Sequence, residues 1–210
     1  MARMTRALMV GLLGFVSLRC AHQYTPSVDL PESPSTIAAT VDIRQFVEAR
    51  TLRTPGYEYG LVAPYTKTMQ VGELATLVTE AIRQDFDKNR VFTGVTDQAG
   101  EADVVLTGTI EQFSENYQPK LWPLVIPFGG MIAWLIQADT YLVNAEVAMT
   151  LRLSRKDGGL VGEYRGYAAL LEETRPTAED PPGRRLNQVF SSVIRQIREQ
   201  LIAVHWRRLS

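Results

Sequence analysis

The sequence predicts an α+β domain, a two-layer sandwich in which a mostly antiparallel sheet carries two amphipathic helices on one face. Three patterns lead there. Residues 140–155 alternate between apolar side chains (Val143, Ala145, Val147, Met149, Leu151, Leu153) and mostly polar ones, the period of a strand with one dry and one wet face. Asp157-Gly158 is a hairpin-turn dipeptide, and residues 160–170 return as the partner strand. Segments 72–89 and 186–204 each repeat apolar residues every three to four positions, the stripe of a helix buried on one side. One apolar sheet face and two single-stripe helices close most economically as two layers.

The hairpin register follows from charge. With Asp157-Gly158 as the turn, Lys156 faces Gly159, Arg152 faces Glu163 and Leu151 faces Tyr164. A turn one residue later would set Arg152 against Arg165, and like charges across strands are unfavourable. Upstream, residues 40–50 read as a first strand through Val41 and Ile43, with Phe46 or Val47 continuing the pattern less regularly. Residues 51–70 hold Pro55, Gly56, Gly60 and Pro64 among three tyrosines and read as a loop. The helix at 72–89 carries Leu74, Leu77, Val78, Ala81, Ile82 and Phe86, with Glu73 and Lys88 placed to suit its dipole. A short strand is expected over 90–96 and a longer one over 101–117, with Ala102, Val104, Leu106, Gly108 and Ile110 on one face. Residues 172–185 read as a loop. The last helix has the stripe Leu186, Val189, Phe190, Val193, Ile194, Ile197 and Leu201.

Residues 1–19 read as a signal peptide. Arg3 and Arg6 precede a 12-residue apolar run at 7–18, of signal-peptide length and short of the roughly 20 residues a spanning helix needs. The single cysteine, Cys20, follows two residues later. A lone Cys there resembles the lipobox of bacterial lipoproteins, whose Cys is acylated and becomes the first residue of the mature chain. The preceding Ser17, Leu18 and Arg19 depart from the usual Leu and two small residues. A plain signal peptide with a chance cysteine, or an uncleaved anchor, is the other reading. Residues 20–39, with three prolines, read as the lipidated Cys and an extended tether, and 40–210 as one domain. If sorting follows the enteric pattern, Ala21 carries no inner-membrane retention signal. The expected location is then the periplasmic face of the outer membrane.

Composition limits function. The chain has 210 residues and net charge −1. Arg3, Arg6 and Arg19 stand in residues 1–19 without an acid, so the chain from Cys20 on carries −1 − 3 = −4. Nothing there suggests nucleic-acid binding, which usually needs a basic face. One cysteine excludes an intrachain disulfide. His22 and His205 stand in no metal-ligand spacing, and there is no nucleophile elbow, P-loop or dinucleotide fingerprint. No catalytic residue, cofactor or metal site is expected.

The helix ELATLVTEAIRQDFDKN, the strand ADVVLTGTIEQF, the hairpin AEVAMTLRLSRKDGGLVGEYRGYA and the closing helix LNQVFSSVIRQIREQL together resemble small envelope lipoproteins, the YajG-like lipoproteins and domains like the N-terminal part of TolB. The resemblance covers roughly residues 40–204. It implies an accessory or scaffold component of the envelope, without catalytic residues.

One segment stands apart. Residues 121–136, LWPLVIPFGGMIAWLI, are 16 positions without a charge between Lys120 and Asp139. As a perfect helix they would reach only about 24 Å against a hydrocarbon core of about 30 Å, and Pro123 and Pro127 oppose such a helix. Two arrangements remain: a lid folded over the open end of the core, or an exposed apolar hairpin. The exposed form would make Trp122, Phe128, Met131, Trp134 and Leu135 a contact surface for a membrane or a partner protein. The leading expectation is a lipid-anchored, non-enzymatic protein that meets another envelope protein. A module that grips an acyl chain between the loop and the core is the alternative. The oligomeric state is not encoded in any of these patterns.

Overall fold

The structure is a computed structural model that describes residues 25–49, 73–97, 100–175 and 183–209. Cys20, the lipobox, the 51–70 segment and residues 176–182 of the expected 172–185 loop lie outside the described residues; the ends of that loop are instead regular, 172–174 continuing a strand and 184–185 opening a helix. Among the described residues there are six strands: β1 (Ile37–Ile43), β2 (Val47–Glu48), β3 (Phe92–Thr96), β4 (Val104–Pro119), β5 (Tyr141–Arg155) and β6 (Leu160–Thr174). The described residues also form the helices α1 (Glu73–Lys88), α2 (Trp122–Val125), α3 (Gly129–Leu135) and α4 (Arg184–Leu209).

The α+β class and its layering are as expected. The strands form one sheet in the order β3-β1-β4-β5-β6, with β2 beside β4. The two long pairings, β4 with β5 and β5 with β6, are antiparallel, and the three short pairings made by β1 and β2 are parallel. The stripes of α1 and α4 merge with the dry face of the sheet in a single core, where Phe86, Ile82, Val147, Met149, Leu151, Phe190 and Ile194 are buried together.

The body of the β5–β6 hairpin has the expected register, with Leu151 opposite Tyr164 and Arg152 opposite Glu163. Arg152 Nε donates to Glu163 at 2.8 Å. Hydrogen bonds from Arg152 and then Arg165 hold the Glu163 carboxyl below its ordinary range. The tip differs from the expectation: a bulge lets Arg155, not Lys156, bond to Gly159, through a 2.8 Å contact from the Arg155 N–H to the Gly159 carbonyl. The turn thus gains a residue, and Gly158 takes φ 89°, which a side chain would strain.

Two further expectations are corrected, for the first strand and for the tether, and β4 departs from strict alternation beyond Ile110. The first strand begins at Ile37 and ends at Ile43. The chain then bends, burying Phe46, and resumes as two-residue β2 with Val47 outward. In β4 a bulge at Glu111 shifts the phase, so Phe113 and Glu115 follow Ile110 onto the helix-covered side. Residues 25–39 are not a free tether. Pro26 and Leu30 are buried, and the segment runs along α4: the Ser27 N–H donates to Asn187 (3.0 Å), the Asp29 N–H to Ser191 (3.1 Å), and Arg198 donates to the Pro31 carbonyl (3.0 Å). The prolines suit an extended strip that is not part of a ladder, since at its start the Ser27 and Asp29 N–H groups are met by side chains.

The outer edge of β6 is covered without a further strand. Gln196 and Gln200 of α4 each accept from and donate to the backbone of Tyr167 and Arg165, at 2.7–3.2 Å. These amides occupy groups that would otherwise invite another strand.

Candidate contact surface at the end of the sheet

β4 and β5 run to one end of the sheet, where residues 120–140 join them. The Lys120 N–H closes the base on the Thr140 carbonyl at 2.8 Å. Beyond that base the uncharged segment folds as a helical hairpin. Pro123 falls in the first turn of α2, where its missing N–H costs nothing, and α2 stops after one turn. Phe128 then turns the chain with φ 59°. Gly129 opens α3 so close to α2 that a Cβ there would lie 2.6 Å from the Pro123 carbonyl oxygen. The segment satisfies much of its own backbone: the N–H groups of Val125, Gly129, Ile132, Ile136 and Ala138 all bond to carbonyls within residues 121–133.

The side chains of this hairpin face outward. Phe128 and Trp134 are each 78% exposed, and Leu121, Val125, Met131, Leu135 and Ile136 are exposed with them. Among the sequence-derived contact residues, only Trp122 is half-buried. Among the described residues, no member of 121–136 belongs to the hydrophobic core. The lid arrangement is therefore not the one formed. Sequence reasoning singled out five residues. Leu121, Val125, Ile126, Ile132 and Ile136 belong to the same surface, and the signal that marks them is the uninterrupted absence of charge.

The exposure has no stripe. In α3 only Gly129 and Ala133 are buried, and Gly130, Met131, Ile132, Trp134 and Leu135 are exposed around the rest of the helix.

The base of the hairpin is held by charge. Lys120 Nζ lies 2.7 Å from Glu173, and Arg175 donates to the Gln137 carbonyl at 3.4 Å. Behind them Arg185, the first-turn residue of α4, is buried with its Nε 2.7 Å from Glu172 of β6 and Nη1 4.0 Å from Glu115 of β4. This ties the start of α4 to the hairpin end of the sheet. The strip at residues 25–31 enters at the same place, since Ser27 bonds to Asn187, two residues beyond Arg185.

Among the described residues, no group of three or more His, Cys, Asp or Glu converges as a metal site would require. Among them also, no helix is long and apolar enough to cross a membrane. His22 lies outside the described residues, as does the side chain of His205.

No family model and no curated protein matches the chain. Solved structures align over most of its length. A Xanthomonas campestris protein of the DUF330 family is 14% identical, with 88% of this chain and 93% of that chain covered and a TM-score of 0.47. A lipoprotein of Neisseria meningitidis is 13% identical, covering 77% of this chain and 99% of its own, at 0.36. A minor lipoprotein of Acinetobacter baumannii is 10% identical, covering 78% and 92%, also at 0.36. The chain is similar to these proteins in loose outline only, and the narrower YajG-like or TolB-like type is not among their descriptions.

Proposed function

We propose that this chain is a non-enzymatic lipoprotein of the bacterial envelope, acylated at Cys20 and held at the periplasmic face of the outer membrane. There it serves as an accessory or scaffold component that meets another envelope component through the 121–136 hairpin. One observation carries the reading: a charge-free hairpin projects from the end of the sheet with most of its large apolar side chains in solvent. Monomeric soluble domains rarely expose contiguous apolar surface of this kind unless something covers it. The acyl-gripping alternative draws less support, because among the described residues the hairpin and the core share no member.

Three outcomes are expected. Cys20→Ser abolishes fatty-acid labelling and releases the protein from membranes; labelling that persists in this variant rules out acylation at Cys20. Replacing residues 121–136 by a short Gly/Ser linker shifts the melting temperature by no more than about 2–4 °C, equivalent to roughly 1 kcal/mol in a domain of this size. A photo-crosslinker at Phe128 forms adducts in intact cells, whereas the same probe at Thr107 on the polar sheet face does not. Unfolding of the linker variant would show the hairpin to be a folding element, and equal adduct yields from both positions would remove the contact-surface reading.

A further inference from the structure

We infer that the component covered by the hairpin is the phospholipid bilayer in which Cys20 is anchored, so that the domain sits on the membrane by two attachments at one end. This rests on the contact-surface reading above. Three observations select a bilayer over a protein.

The first is the position of the chain start. The strip at residues 25–31 runs along α4 from its first turn, through Asn187, Ser191 and Arg198 in order. Followed backwards it leads to the hairpin end of the sheet, where Arg185 bonds to Glu172 and Lys120 pairs with Glu173. Cys20 is five residues before Thr25, so its Cα can lie at most about 18 Å from that of Thr25. The start of the described chain and the apolar hairpin thus lie at one end of the sheet, and the tether is long enough to set the lipid anchor and the hairpin on the same surface.

The second is the symmetry of the exposure. A helix that docks in a protein groove presents a stripe and keeps a polar back. Helix α3 has no polar back: its seven residues, GGMIAWL, are exposed except at Gly129 and Ala133. An element apolar on every free side suits an isotropic apolar medium. The internal hydrogen bonds of the hairpin answer much of the accompanying demand that backbone groups not enter hydrocarbon unpaired.

The third is depth. A seven-residue helix is about 10 Å long, which matches seating at the boundary of headgroups and acyl chains and falls far short of crossing. Trp134 suits that boundary, since its ring is apolar and its N–H can reach water or a headgroup. Because residues 121–136 carry no charge, seating should depend little on salt or on the charge of the lipid. An anchor already at the membrane makes weak insertion effective by raising the local concentration of the hairpin.

The full acylated chain, reconstituted in phosphatidylcholine vesicles, tests this. Of its three tryptophans, Trp122 and Trp206 are changed to Phe, leaving Trp134 as the reporter. With acyl chains brominated near the headgroup, Trp134 should lose most of its emission, and high salt should not restore it. Phe128→Glu together with Leu135→Glu should restore it while the acyl anchor keeps the protein on the vesicle. Unquenched Trp134 in the parent chain overturns the inference. In cells, the crosslinker at Phe128 should yield phospholipid adducts. Protein adducts alone would overturn the bilayer as occupant and leave the contact-surface reading standing, and no adduct of either kind would overturn both.

Discussion

Leu151→Ala and Ile194→Ala each lower the free energy of unfolding by about 2–5 kcal/mol. Leu151 stands at the middle of β5 and Ile194 at the middle of the α4 stripe, and both are fully buried in the same core. Each substitution removes the transfer free energy of the deleted carbons and leaves a cavity that a rigid sheet or a long helix cannot close by moving. The size of the loss reports how well the layers collapse around it. Chemical denaturation with an unchanged slope is the measurement, since that slope follows the surface exposed on unfolding. Losses below about 1 kcal/mol at both sites, under the usual range for buried Leu or Ile to Ala, would mean that the sheet and helix do not share one dry layer.

That shared layer was legible from the chain because period and burial agree there. Val143 to Leu153 alternate without interruption and each apolar member is buried, and the α4 stripe keeps its phase from Leu186 to Leu201. The Arg152–Glu163 pair located the hairpin register because opposite charges had only one alignment that avoided Arg152 against Arg165. Where alternation failed as a guide, a local irregularity was responsible. The bulge at Glu111 and the extra turn residue at Gly158 each insert one position, and a period of two carries no mark of an insertion until the far side is seen. The parallel placement of β1 beside β4 depends on a long crossover, which no local pattern encodes.

The contact segment was legible as unusual and not as exposed. Sixteen uncharged residues fit a lid as well as a projecting hairpin, because composition measures how apolar a segment is and says nothing of where its neighbours lie. The prolines that argued against one long helix proved compatible with two short ones, Pro123 entering a first turn and Pro127 standing in the break between them. The docking of residues 25–39 was hidden for the opposite reason. Its prolines and serines have the composition of a linker, yet Pro26 and Leu30 are buried, and the groups that hold the strip are more than 150 positions away in sequence.

Charged residues inside the domain were equally invisible to a rule that places charge in solvent, and the pair between the two helices carries the second large effect. Asp85→Ala should cost about 3–5 kcal/mol, because it strands a buried cation. Asp85 on α1 and Arg198 on α4 are 4% and 5% exposed, with Oδ2 3.6 Å from Nη1. Asn89 donates to the other carboxylate oxygen at 2.7 Å, and Arg198 also donates to the Pro31 carbonyl at 3.0 Å. One cluster thus joins both helices and the N-terminal strip. Burial raises the Asp85 pKa above the ordinary carboxylate value, outweighing the opposing pull of Arg198 and Asn89. The sign of its pH effect follows. Between the unfolded value and the higher folded one, the folded state holds the proton longer, so stability is highest below this window and falls as pH rises through it. Asp85→Asn should flatten that slope. Arg198→Met alone should destabilise as Asp85→Ala does, while Asp85→Leu combined with Arg198→Met should recover most of the loss, since an apolar pair needs no desolvation. A double-mutant cycle closed with the single variants Asp85→Leu and Arg198→Met gives the coupling directly. Losses that simply add, with no recovery in the double variant, would show that Asp85 and Arg198 act separately and that the helices are joined by the apolar layer alone.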